Sequence, residues 1–337
     1  MTMFGTVAAF ESALASLPNP DAAASAAAVA RQNQLTKPQG SLGRLEDIAI
    51  FLAGWQGRAI PRLETARAVV FAGNHGIAAR GVSAFPPSVT AQMVQNFEAG
   101  GAAINALARA AGLELVVVPI DLDTPTADFT QAPAMSEAEC LAALQTGAAV
   151  VEAGIDLLVL GEMGIGNSTI AAALCARSFG GSGVDWVGPG TGVDDAGRLR
   201  KIAAVDAGLA VHADAPVTAF ETLRRVGGRE IAAIAGAVLA ARMAGVPVVL
   251  DGYICCAAVA PLVVAAPDIV AHCLAGHRSA EPAHRRLLKQ FGLEPLMCFD
   301  MRLGEGSGAA LAAGVIRAAV AVHAEMATFA EAGVSEG

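Results

Sequence analysis

The chain has 337 residues, enough for one large domain and a smaller appendage. Apolar residues make up 54% and charged residues 16%, with one Tyr and two Trp, so the hydrophobicity comes mainly from small side chains that let helices pack close to a sheet. The net charge of −9, with no basic cluster beyond the Arg224-Arg225 and Arg285-Arg286 pairs, argues against a nucleic-acid partner, because phosphate-backbone binding needs a basic surface.

Mean hydropathy is positive, so membrane insertion has to be weighed. The apolar, charge-free run between Asp251 and Asp268 is 16 residues long and holds Pro261 and Pro267. It falls short of the roughly 20 residues a spanning helix needs. The first residues carry Glu11 and no basic start, unlike a signal peptide. The six cysteines (140, 175, 255, 256, 273 and 298) show no CxxC and no zinc-type spacing with His. Buried, reduced thiols in a cytoplasmic protein are expected, with Cys255 and Cys256 in a strand-like stretch, and neither metal nor cofactor.

In chain order, helices are expected at 21–34 and 42–57, then short β-branched runs alternating with Ala-rich helices. The strands are expected at 68–72, 115–120, 156–160, 184–187, 246–250 and 296–299, with a further candidate at 269–273. Helices at 88–110, 167–179, 198–212 and 229–244 fall between them, and a last one runs over 309–332. This alternation predicts an α/β fold with a Rossmann-like, mostly parallel sheet and flanking helices. Both ends lack strands, which suggests a small helical domain from 1–60 with 309–337 beside a large catalytic domain over 61–308.

The strand ends carry the functional signal. Gly and Asn-His follow the first, Asp121 and Asp123 the second, and Gly161 and Glu162 the third. GPGTG at 188–192, Asp251-Gly252 and the 300–305 segment close the series. In an open parallel sheet these ends converge on one crevice. GEMGIGNST at 161–169 precedes an Ala-rich helix, so Gly164, Gly166, Asn167 and Ser168 can meet an anion at a helix N-terminus; a tight strand–helix turn accounts for the same pattern. The motif lacks the Lys of a P-loop and the three-Gly dinucleotide spacing. Gly190 and Thr191 form a second anion signal, with Lys201 as a point charge, although an isolated Lys is often only part of a solvated helix face. HRSAEP at 277–282 is a third, through Ser279. Several weak anion signals without a P-loop suggest a nucleoside monophosphate rather than ATP.

Glu305, framed by glycines in RLGEGSG at 302–308, suits a general base, and Glu162 has a similar setting. Asp251 reads equally as a ligand of a helix N-terminus or ribose hydroxyl and as a group that does chemistry. His75 can serve as a base, but after Gly-Asn it is expected rather to satisfy a loop carbonyl. Around 81–93, Phe85, Val89 and Met93 offer an apolar wall and Ser83 and Gln92 polar groups, a mixture that suits a flat heteroaromatic ligand and equally suits core packing.

Taken with KPQGSLGRLE at 37–46, FAGNHG at 71–76, PSVTAQM at 87–93, VLDG at 249–252 and GEGSG at 304–308, these segments resemble the nicotinate-nucleotide–dimethylbenzimidazole phosphoribosyltransferases of cobalamin lower-ligand assembly. They run in family order from about 35 to 315. The resemblance implies transfer of 5-phosphoribosyl from nicotinate mononucleotide to a benzimidazole-type base. It implies Glu305 as general base, Glu162 in the same crevice, and Gly164, Gly166, Lys201 and Ser279 near the phosphate. Gln92 would lie by the acceptor base, with Ser83, Met93 and Leu303 as its expected neighbours. A homodimer is implied as well. The competing expectations are a non-catalytic nucleotide sensor on the same scaffold, against which Glu305 speaks, and a Rossmann-type oxidoreductase, against which the missing GxGxxG speaks.

Overall fold

A computed structural model describes residues 2–190 and 192–335. Six strands form one sheet: β1 (Ala66–Ala72), β2 (Glu114–Pro119), β3 (Leu157–Met163), β4 (Val248–Leu250), β5 (Cys273–His277) and β6 (Pro295–Met297). Their spatial order is β2-β1-β3-β4-β5-β6, and every pair is parallel. Parallel sheets need helical crossovers and are covered on both faces, which is why β1, β3 and β4 read as near-continuous apolar runs.

Strand alternation divides the core into two layers. Val69, Phe71, Leu158, Leu160, Val248 and Leu250 point one way, against helices Glu137–Ala149, Asn167–Phe179, Arg229–Ala244 and Tyr253–Ala265. Ala68, Val70, Leu157, Val159 and Val249 point the other way, against helices Arg44–Gln56, Ala103–Ala111 and Ser307–Glu325. Helix Ser307–Glu325 is long and apolar enough to cross a bilayer, yet Ala309, Ala312, Ala313 and Ile316 are buried in the second layer. The chain ends meet there: the Arg31 guanidinium donates to the carbonyls of His323 (2.7 Å) and Ala324 (2.9 Å), occupying free acceptors at that helix's C-terminus.

Several expectations are corrected. Residues 184–187 do not form a strand: Gly183–Trp186 is a helical turn that begins with a Ser182/Asp185 capping box. Cys255 and Cys256 lie in helix Tyr253–Ala265, which is apolar on all sides, so its periodicity resembles a buried strand. Residues 267–272 make a 3-10 turn, and β5 begins only at Cys273. The helix expected over 88–110 is two helices, Ser88–Glu98 and Ala103–Ala111, parted at Gly100, whose φ is +80°. The last helix likewise ends at Glu325, before a short turn of helix at Phe329–Ala332. The cysteine expectation also needs one change: five thiols are buried, but Cys298, just after β6, is exposed.

Candidate active site

Beyond the C-terminal ends of β3 to β6 lies a crevice of about 460 Å³, lined by Glu162, Ser168, Gly190, Asp251, His277, Ser279, Glu281, Arg302, Leu303 and Gly304, among others. A ligand crevice at this edge follows from the parallel topology.

One side is acidic. Glu305 adopts φ +63° between Gly304 (+85°) and Gly306 (+80°). A non-glycine residue in the left-handed region costs about 1–2 kcal/mol, a strain typical of functional sites. The Glu305 side chain is buried, and among the described residues its Oε2 has no hydrogen-bond partner. Burial, reinforced by the Asp251 charge, pushes its carboxyl up to about 7. Glu162, also buried, is held well above the usual carboxylate range by burial and by Asp251, with Glu230 and Glu305 adding to the effect. The Asn167 amide donates to Glu162 Oε2 and opposes that shift. Asp251 accepts the Ala309 N–H (2.9 Å) in the first turn of helix Ser307–Glu325 and lies 3.5 Å from His277 Nε2.

The 304–306 loop is seated on β3 without clearance. A Cβ on Gly161 would fall 2.5 Å from Gly306 N and 2.6 Å from the Glu305 carbonyl carbon. Gly161→Ala is therefore expected to lift the loop, cost about 1–3 kcal/mol of stability and lower kcat by about 10²-fold. Thermal unfolding and steady-state kinetics on the same preparation check both; an unchanged kcat would refute the placement.

The other side is basic. Lys201 is buried, and its Nζ donates to Ser168 Oγ and Gly188 O, both at 3.0 Å, leaving one N–H for a ligand. Burial brings its pKa down to about 8, against the opposing pull of Glu281. Arg302 Nη1 donates to Gly190 O at 3.2 Å. Helix Asn167–Phe179 begins here, so its free N–H groups join these cations.

Of the expected residues, Glu162, Ser168, Gly190, Asp251, Ser279 and Leu303 line the crevice, and Glu305 follows lining residue Gly304. Lys201 reaches it through Ser168. Gly164 and Gly166 frame the loop behind it, and Asn167 holds Glu162. Thr191 lies outside the described residues. On the acceptor side, Leu303 is 52% exposed, Gln92 is exposed, and Met93 packs on the second core layer. Ser83 Oγ accepts the Phe85 N–H. Helix Ser88–Glu98 is tied to the 164–166 loop by the Ile165 N–H donating to Thr90 Oγ1 (3.2 Å).

His75 departs from expectation. It pairs with Glu230 (Nε2 to Oε1, 2.7 Å), not with a loop carbonyl, and both side chains are fully buried. Glu281, Arg302 and His277 went unassigned in the sequence although they sit inside the quoted motifs; their roles depend on distant partners.

A family model described as phosphoribosyltransferase matches residues 17–334. A protein of Novosphingobium aromaticivorans named nicotinate-nucleotide–dimethylbenzimidazole phosphoribosyltransferase is 68% identical over 337 residues, covering all of both chains. The chain belongs to this phosphoribosyltransferase family. A Ruegeria pomeroyi member with the same name is 58% identical over 331 residues, covering 98% of each chain. The crystal structure of CobT from Thermus thermophilus superposes with a TM-score of 0.86 at 43% identity, covering 94% of this chain and 100% of that one. Family membership thus agrees with the all-parallel sheet and its flanking helices.

Proposed function

We propose that this phosphoribosyltransferase moves the 5-phosphoribosyl group of nicotinate mononucleotide onto 5,6-dimethylbenzimidazole, giving α-ribazole 5′-phosphate and nicotinate. The observation that carries the reading is Glu305, a carboxylate whose pKa is raised to about 7 and which follows the crevice residue Gly304, while the buried cation Lys201 donates to the crevice residue Ser168. A base poised near neutrality works best at neutral pH.

The phosphate is read as held by Lys201, Ser168, Gly190, Ser279 and the helix N-terminus, which orients C1′ toward the acids. One acceptor ring nitrogen attacks C1′ from the face opposite nicotinate. The C1′–N bond to nicotinate breaks, its electron pair returning to the pyridine nitrogen, so this leaving group needs no proton. The acceptor's other nitrogen gives its proton to Glu305, and configuration inverts from β to α. Burial, with Asp251, Glu230 and Glu305 close by, holds the Glu162 carboxyl well above the usual range. Glu162 is then a hydrogen-bonding group of the ribose side rather than a second base.

Incubation with both substrates is expected to yield α-ribazole 5′-phosphate by mass spectrometry, with one nicotinate released per product. Folded protein that forms no product with this base or related benzimidazoles and purines would overturn the reading. The homodimer and the division into 1–60 with 309–337 and 61–308 belong to the same proposal. The Arg31 contacts between the chain ends support the division, and sedimentation tests the dimer.

A further inference from the structure

Glu281 is a crevice residue to which the transfer chemistry above gives no part. It stands at the N-cap of helix Pro282–Phe291, yet its side chain does not cap that helix. It is 8% exposed, and among the described residues neither carboxylate oxygen has a hydrogen-bond partner of good geometry, the Gly190 N–H being the backbone donor that faces it. The fold makes room for it: a Cβ on Gly188 would fall 1.8 Å from Oε2. Its own N–H donates to Ser279 Oγ at 3.3 Å, which fixes the turn that presents it.

The cations nearby make their hydrogen bonds elsewhere, with one Lys201 N–H left over. Lys201 donates to Ser168 and Gly188, and Arg302 to Gly190. Lys201 and Arg302 both act on the Glu281 carboxyl electrostatically, and burial still raises its pKa. A buried acceptor pair short of donors is costly and is kept where a ligand supplies them. Phosphate is a poor match, because it is mostly dianionic at neutral pH and would bring negative charge against the carboxylate. Neutral hydroxyls can supply them, and two adjacent oxygens match two adjacent hydroxyls; carboxylates read ribose in this way in other nucleotide sites.

Resting on the phosphoribosyl transfer proposed above, we infer that Glu281 is a specificity-determining residue that accepts hydrogen bonds from the 2′,3′-diol of the donor ribose. It lines the crevice beside Gly188 and the cations Lys201 and Arg302, in the same pocket as Glu162 and Asp251.

The test compares nicotinate mononucleotide with its 2′-deoxy and 3′-deoxy analogues, using dimethylbenzimidazole as acceptor. The 3′-deoxy donor is the cleaner arm, because loss of the 2′-hydroxyl also weakens the glycosidic bond. Wild-type enzyme is expected to prefer the ribo donor over the 3′-deoxy donor by about 100-fold or more in kcat/KM. Glu281→Ala should lose about 10–100-fold on the ribo donor and less on each deoxy donor, which keeps one of the two hydroxyls, so that the preference narrows. Glu281→Gln, which keeps one acceptor oxygen, should fall between the two. Equal use of all donors by the wild-type enzyme, which needs no variant to observe, would overturn the inference. So would an equal loss on all donors in Glu281→Ala, which would place the carboxylate's effect on Lys201 and the phosphate. Product without discrimination defeats the Glu281 role alone, whereas no product from the ribo donor defeats the transfer reading and this inference together.

Discussion

Replacing Glu305 by Gln is expected to lower kcat by about 10²–10⁴-fold while leaving donor binding intact. The amide keeps the size of the side chain and removes its capacity to take the acceptor's proton. The KM for nicotinate mononucleotide should therefore move far less than kcat, since the phosphate contacts lie on the other side of the crevice. A variant that turns over as fast as wild type would remove Glu305 as the base. The same change should stabilise the fold at high pH. With its pKa raised to about 7 in the folded state, Glu305 adds stability only when protonated, and that contribution is lost as pH rises from the unfolded value through about 7. Glu305→Gln should thus unfold later than wild type at pH 8, by up to ~2 kcal/mol once solvent screening is allowed for. The two proteins should converge below about pH 4.5, the ordinary carboxyl value.

The pH dependence of kcat/KM should be a narrow bell. It reports groups of the free enzyme, and two are poised close together. Activity rises with pH through about 7 as Glu305 loses its proton, and falls through about 8 as Lys201 loses its charge. The donor phosphate titrates near about 6, below both limbs. Lys201→Met should raise the donor KM by about 10–100-fold, the worth of a charge-assisted hydrogen bond, and should abolish the alkaline limb. Glu305→Gln should abolish the acid limb in its residual activity. If the alkaline limb persists unchanged in Lys201→Met, the titrating cation is another group.

The convergence of the site was legible because parallel strands deliver their following loops to one edge. Glycines and acids after β3 and β4, and near the close of the chain, could therefore be read as neighbours before any coordinates, whereas those expected after β1 and β2 do not line the crevice. The misread segments share a cause. Tyr253–Ala265 is buried all round, so no polar face marks it as a helix. Residues 184–187 are β-branched at both ends, but the local Ser182/Asp185 capping box sets the backbone. What the sequence could not show were pairs brought together from afar. His75 and Glu230 are 155 residues apart. Glu281 has meaning only beside Gly188 and Lys201, which belong to a different crossover. Gly161 read as a phosphate-loop glycine, yet the tightest demand on it comes from the backbone of residues 305 and 306.

The lone exposed thiol has a practical consequence. Among the described residues, Cys298 is the only cysteine at the surface, while burial pushes the other five thiols upward and shields them. It stands just past β6, at the head of the segment that leads to Glu305. A maleimide fluorophore would therefore attach there in the native enzyme, with no engineered cysteine. The molecule thus carries its own spectroscopic handle a few residues from Glu305, so that donor and acceptor binding can be followed in real time.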